Sequence, residues 1–421
     1  MSSVRIGFAG VTAVAVTYGF ARYGYGLFAP RIGAAFDLSV TMVGVIASAP
    51  YAAYLLALPL AGALSARLGP RAPVVTGGLA AAGGMALMAL ARTPAVLAAG
   101  LALAGTAPAW SWAPFSDAVA RAVPARARDR VLALIPSGTA FGVAVAGPTA
   151  LLAGPHWRLA WLAFTAAALL STAYNATTLP TGPATPARED AVRPRRGAAG
   201  AVRAYVRAGS GRLYLTAFAY GLVGTGYWTF AAVLVGRASG GSTVVMAGAW
   251  TLMGVAGTAA VFAGAVLARI GLRAAHALLF AALAAAAALL GAAPGVPAAI
   301  AASVVLYGAA FMAVSGLLAV WSYRLFPDRP AAAFSVTVLF LGAGSVPGPA
   351  VLGAVADGLG LPAVFWATAA VAVLTIGSRP ARNGPAGTGT PESPAPAVTC
   401  GDRLALCCTT NPGRASLSPG H

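Results

Sequence analysis

Twelve times between residues 6 and 378 the chain runs on for roughly twenty residues of Ala, Leu, Val, Gly and aromatic side chains, long enough to cross a ~30 Å hydrocarbon core. The runs are cut at 6–29, 39–64, 73–91, 95–118, 131–153, 158–180, 213–236, 243–268, 274–292, 298–322, 331–355 and 362–378. Inside a bilayer every backbone amide must find its partner within the protein, which leaves only helices and closed barrels. The runs are continuously apolar, without the period-two alternation of barrel strands, so helices are expected. At 59% hydrophobic and 9% charged residues, the chain also lacks the polar surface to coat a water-soluble globule.

The same material is written twice. Tyr18, Gly19, Gly24 and Tyr25 recur 202 positions later as Tyr220, Gly221, Gly226 and Tyr227, and Gly62, Arg67, Gly69 and Arg71 recur as Gly264, Arg269, Gly271 and Arg273. A shift of 203 carries Gly105, Arg121 and Pro124 onto Gly308, Arg324 and Pro327, and a shift of 201 carries Gly147 and Pro148 onto Gly348 and Pro349. The expectation is an all-α integral membrane protein of twelve transmembrane helices in two pseudo-symmetric six-helix bundles. Residues 1–180 form the first bundle, 181–211 an arginine-bearing linker, 212–378 the second bundle, and 379–421 a polar, disordered tail. Duplicated halves meeting at a central seam suit a transporter, because rocking them exposes the seam to either side.

A formal charge of +18 raises the question of nucleic acid, but all 27 basic residues are arginines and they follow the loops. Arg67, Arg71, Arg121, Arg126, Arg128, Arg130, Arg269, Arg273, Arg324 and Arg329 fall in the short even-numbered loops, against Arg31, Arg92, Arg158 and Arg237 in the odd ones. By the positive-inside rule both termini, the linker and the tail are cytoplasmic, in a cell membrane, with no nucleic-acid partner. The first apolar run exceeds a signal peptide's core and is read as a span. Cys400, Cys407 and Cys408 all lie in the tail, and His156, His276 and His421 are scattered. No metal site, cofactor or disulfide framework is expected.

The loop after the second span, Gly62-Ala63-Leu64-Ser65-Ala66-Arg67-Leu68-Gly69-Pro70-Arg71, and its echo Gly264-Ala265-Val266-Leu267-Ala268-Arg269-Ile270-Gly271-Leu272-Arg273, resemble the signature loop of the major facilitator superfamily. With twelve spans and a long central loop, the resemblance covers about residues 5–378. It implies that superfamily's fold and a carrier function. The family's gate-locking acid is replaced by Ala66 and Ala268, and Leu101 stands where a helix-four arginine is expected. Gly142-x4-Gly147-Pro148 and Gly344-x3-Gly348-Pro349 resemble the family's antiporter-associated signature and point to export.

Arg22 is the one basic residue in the interior of a predicted span, about 16 residues or ~24 Å from Ile6 at the helical rise. Its repeat counterpart is Gly224, so the scaffold itself does not require a side chain there. Two readings stand: a guanidinium that binds the anionic group of a solute, or one that snorkels to an interface or satisfies helix carbonyls. On the first, Tyr18 and Tyr25 flank it. The resemblance places helices one, four, seven and ten around a central cavity, which adds Trp110, Tyr220, Tyr227 and Phe311. Each aromatic has the competing reading of plain packing.

Asp117 sits near the cytoplasmic end of the fourth span, with Arg121 at i+4 and Arg67 and Arg71 expected nearby. It is read as a gate ion pair, or alternatively as a proton site. The function expected is secondary active transport of a small amphipathic or anionic solute by alternating access, as a monomeric exporter with proton coupling as an option. A uniporter or importer of the same fold is the alternative. An integral-membrane enzyme would need converging acids or nucleophiles in the spans, and nine acids in all, mostly in loops and tail, argue against one. A non-transporting sensor completes the alternatives.

Overall fold

The computed structural model describes residues 3–182, 205–328 and 330–380. The cysteines, most of the expected linker and all but the first two residues of the expected tail lie outside the described residues, as does Arg329. Everything regular among the described residues is helical.

The passes are α1 (Ser3–Ala35), α2 (Val40–Leu68), α3 (Arg71–Leu90), α4 (Pro94–Ala122), α5 (Ala125–Ala153), α6 (Trp157–Thr178) and α7 (Ser210–Ala238). A single 50-residue run, Thr243–Ala292, supplies the next two. Gly271 interrupts it at φ 78°, ψ 161°, so 243–270 is α8 and 272–292 is α9. α10 (Pro297–Leu325), α11 (Ala333–Leu359) and the 16-residue α12 (Leu361–Ile376) follow.

The repeat is visible in the backbone. Gly69, between α2 and α3, adopts φ 78°, ψ −173°, nearly the conformation of Gly271 at the same place in the second half. Side chains with a Cβ rarely tolerate that region, and each glycine there reverses the chain in a single residue. Sequence expected loops of several residues at both places. The helices instead run on past the hydrocarbon to the glycine, because arginine-bearing helix ends remain stable in the headgroup region. Likewise α4 and α5, expected to be parted by residues 119–130, are separated only by Val123 and Pro124. Helix starts follow local chemistry: the hydroxyls of Ser39, Thr93 and Ser242 accept the free amides of Met42, Val96 and Val245.

Packing between the first six and last six passes is concentrated on the side away from the termini. There the second part of α5 (Ser137–Ala153) lies along the start of α8 (Thr243–Gly257), and Pro347–Leu359 of α11 lies along α2. Small residues make these crossings close. A Cβ on Gly147 would strike the Ala247 carbonyl and Thr251 side chain, and one on Gly44 would strike the Pro349 carbonyl. The same side carries polar ties across the seam. The Thr41 amide donates to Asp357 Oδ2 at 2.9 Å, and the Arg31 guanidinium, which also donates to the Gly154 carbonyl of its own half, donates across to the Thr243 hydroxyl. On the side of the termini, Ser3–Val14, Trp112–Ala122 and Ala125–Leu134 pack principally on other helices of the first six.

Candidate functional site

α1 does not pass Arg22 as a regular helix. Residues Ala15–Phe20 form a wide π-type turn, in which the Ala21 amide donates to the Val16 carbonyl at 3.0 Å and the Tyr23 amide to the Tyr18 carbonyl at 3.1 Å. A turn at residues 21–23 follows before the α-helix resumes at Gly24. The wide turn presses on α5: a Cβ on Gly19 would lie 2.6 Å from Gly142 Cα. Such π-bulges recur at functional sites because they re-aim a side chain without ending the helix.

The side chain re-aimed here is Arg22, which is 8% exposed. Its Cζ lies 4.6 Å from the ring centre of Tyr54, 4.7 Å from that of Tyr51, and 5.9 Å from those of Tyr18 and Tyr23. The hydroxyls of Tyr23 and Tyr51 lie within hydrogen-bonding reach of it, whereas its buried Nε has no acceptor. A narrow cavity with room for about one water molecule opens beside it, lined by Tyr23, Tyr25, Pro50, Tyr51, Trp228 and Thr229 among others, with no carboxylate in its lining. Three acids are engaged elsewhere: Asp117 with Arg121, Asp328 with Arg207, and Asp357 with Thr41. Cation–π contacts return about 0.5–2 kcal/mol each, against several kcal/mol for holding an ion out of water. The tyrosines therefore soften the burial of this charge without neutralising it.

The structure brings some of the expected residues together and not others. Tyr18 faces Arg22, and Tyr25 lines the cavity with its hydroxyl donating to the Val43 carbonyl at 3.2 Å. Phe311 stands edge-on to Tyr23 at 6.0 Å and covers Gly224, where a Cβ would meet its ring at 2.5 Å. That contact explains why the repeat carries no side chain opposite Arg22. Tyr220 packs on Phe311 at 4.7 Å and donates to the Phe311 carbonyl at 2.8 Å. Trp110 packs near Tyr54, Ala57 and Ala109, away from the cavity lining. Tyr227 is fully buried against Tyr307, with ring centres 3.6 Å apart, and its hydroxyl pairs with Ser303 at 2.7 Å. Its neighbour Trp228 lines the cavity instead, stacked on Tyr23 at 4.3 Å.

Sequence reasoning missed Tyr23, Tyr51, Tyr54 and Trp228. The i,i+3 spacing of Tyr51 and Tyr54 in the middle of an apolar run was the available signal, since it puts two phenols on one helix face.

Asp117 and Arg121 form an ion pair on one face of α4, Nη2 to Oδ2 at 2.8 Å and Nε to Oδ1 at 2.9 Å. Arg121 also donates to the Gly182 carbonyl at 2.9 Å. Arg71 donates to the Leu179 carbonyl at 2.9 Å, and Arg67 is exposed in the last turn of α2. These bonds tie the ends of α3, α4 and α6 to one another within the first six passes.

No curated protein matches this chain. Among solved structures, a mutant of the nucleoside transporter NupG is similar with a TM-score of 0.74 at 13% identity, covering 89% of this chain and 98% of that one. A bacterial homologue of the human lysosomal transporter Spinster, inward-facing and unoccupied, is similar with a TM-score of 0.65 at 16% identity, covering 89% and 94%. The occupied form of that homologue gives 0.64 at 17%, covering 89% and 95%. At such identities the likeness speaks for the fold alone. The sequence itself matches the model of the Major Facilitator Superfamily over residues 11–333, most of the chain. This chain belongs to the Major Facilitator Superfamily and is a membrane transporter, not an enzyme.

Proposed function

We propose that the protein is a secondary transporter of a small anionic, partly apolar solute, which binds at Arg22 and crosses by alternating access. One observation carries the reading: a buried guanidinium with an unpartnered Nε beside a cavity that holds no counter-charge. An anion supplies what the protein omits, since a bidentate carboxylate or phosphate satisfies that planar fork. Residues 1–180 and 212–378 act as the two rocking bundles, joined by the 181–211 linker, with the 379–421 tail on the same side. Tyr18, Tyr25 and Phe311 furnish the walls of the site. Tyr220 and Tyr227 support them from behind, and Trp110 packs the α2–α4 contact.

The arginine-rich loops support a reading in which the termini are cytoplasmic. The ends left apart by the packing then face the cytoplasm, and the tight glycine crossings seal the outer side. That arrangement suits loading from the cytoplasm and favours efflux. Both Gly-Pro pairs sit at the sealed crossings, Gly147-Pro148 against α8 and Gly348-Pro349 beside α2. The Asp117–Arg121 pair, with Arg71, serves the cytoplasmic gate rather than the solute, and Arg67 lies at its rim.

The test is solute flux in proteoliposomes with and without an imposed pH gradient. Arg22→Gln and Arg22→Lys, each monodisperse on gel filtration, are expected to abolish flux. A fully active Arg22→Gln protein removes Arg22 from the site. Flux that ignores the gradient makes the carrier a uniporter.

A further inference from the structure

We infer that the solute is a flat, conjugated monoanion, an aromatic carboxylate by chemical class, and that Trp228 recognises it together with Arg22. The inference rests on the reading of Arg22 as the anion site and narrows what that anion carries.

Three observations converge on it. First, charge: Arg22 is the only ionised side chain in the cavity lining, so one negative charge is neutralised there and a second would be buried unpaired. Second, donors: Trp228 is 2% exposed and its indole Nε1 has no partner; the indoles of Trp110, Trp161 and Trp250 are also unpartnered, but of the four only Trp228 lines this cavity. Two buried donors without acceptors, Arg22 Nε and Trp228 Nε1, thus belong to residues lining one cavity. They ask for a ligand with oxygens to accept from both.

Third, walls: Tyr23, Tyr25, Tyr51 and Trp228 give the cavity an aromatic lining. Tyr23 stacks on Trp228, which meets Phe311 and Tyr307 edge-on at 5.6 Å each. The hydroxyls behind this wall are spent, Tyr307 on the Gly224 carbonyl at 3.0 Å, Tyr220 on the Phe311 carbonyl and Tyr25 on the Val43 carbonyl. Against such rings a planar conjugated solute gains offset stacking. The closed cavity has room for about one water molecule, so these rings must part to admit the solute.

The experiment is calorimetric titration of the purified full-length protein in nanodiscs with four probes: benzoate, cyclohexanecarboxylate, benzamide and terephthalate. Benzoate is expected to bind about tenfold more tightly than cyclohexanecarboxylate, the scale of an aromatic pair. Benzamide should show no binding, and terephthalate should be weaker than benzoate by at least about tenfold. Trp228→Phe, which keeps a ring and removes the N–H, should weaken benzoate several-fold, and Trp228→Leu should erase its advantage over cyclohexanecarboxylate. Equal binding of the two ring acids, lost in Arg22→Gln, overturns the aromatic inference and leaves the anion site standing. Binding of no monoanion, or binding indifferent to Arg22→Gln, overturns both.

Discussion

Replacing Gly26 by alanine adds one methyl group at a point where the first and last six passes touch backbone to backbone. A Cβ there would drive into the Trp228 carbonyl oxygen and come 2.9 Å from its carbon and 3.3 Å from the Trp250 ring. The obstacle is main chain and cannot rotate aside. Carbon–oxygen contacts settle at about 3.3 Å or more, so α1 and α7 must part by on the order of an ångström. Overpacking of this kind costs about 1–3 kcal/mol. That strain exists only while the two helices are pressed together, and it vanishes once the far side opens. At 1.4 kcal/mol per factor of ten, the ratio of far-side-open to far-side-closed molecules should rise about 5- to 150-fold. The measurement is a distance distribution between spin labels at Ser39 and Leu359, on a background with Cys400, Cys407 and Cys408 replaced by serine. Gly26→Ala should add a longer distance that the parent chain lacks. Gly248→Ala is the control, because nothing lies within 4 Å of its added methyl. An unchanged distribution in a folded Gly26→Ala protein, or the same shift in the control, would refute the reasoning.

Asp117→Asn should leave solute affinity intact and cost about 0.5 kcal/mol of stability, since an i,i+4 pair that is 20% and 30% exposed is worth little; thermal denaturation and calorimetric binding read the two effects. If gradient-driven accumulation disappears while downhill flux survives, Asp117 is a proton site and not a gate pair. Tyr227→Phe should lower stability by about 1 kcal/mol without changing solute affinity, because its hydroxyl pairs with Ser303, which keeps its own bond to the Ala286 carbonyl. A large affinity change would put Tyr227 in the site. Gly271→Ala, with open space around it, should cost about 1–3 kcal/mol from backbone conformation alone, as read from the denaturation midpoint. Gly69→Ala should cost more, because its methyl also meets the Gly182 carbonyl; equal costs would show that this contact carries no weight.

The twelve passes and the family were legible in the sequence because each follows from a single quantity read along the chain, run length for the passes and residue spacing for the signature loop. Ends were less so: α4 and α5 meet almost directly at Val123 and Pro124 because arginines keep a helix soluble beyond the hydrocarbon. Arg22 stood out as the lone basic residue in the interior of a span, but the wide turn that aims it depends on Gly19 touching Gly142, 123 residues away, which no local pattern announces. The repeat pointed to Tyr227 by register, and the structure turns Tyr227 into the bundle and its neighbour Trp228 toward the cavity. Successive residues on a helix point about 100° apart, and which one faces the seam is set by how α1 crosses α7. Tyr51 and Tyr54 escaped notice because tyrosines in an apolar run equally suit packing or a membrane interface.

Asp357 reaches from the end of α11 to the first amides of α2, and it does so at the water-exposed rim of the seam. A carrier must undo on every cycle whatever it fastens, so the depth of its resting well limits its speed. A tie that solvent can replace bond for bond opens with little net loss, whereas a dry ion pair in the same position would hold the mouth shut for far longer. On the proposed alternating-access cycle, pairing methyl-free helix crossings with a wettable clasp favours a closure that is tight yet quick to release.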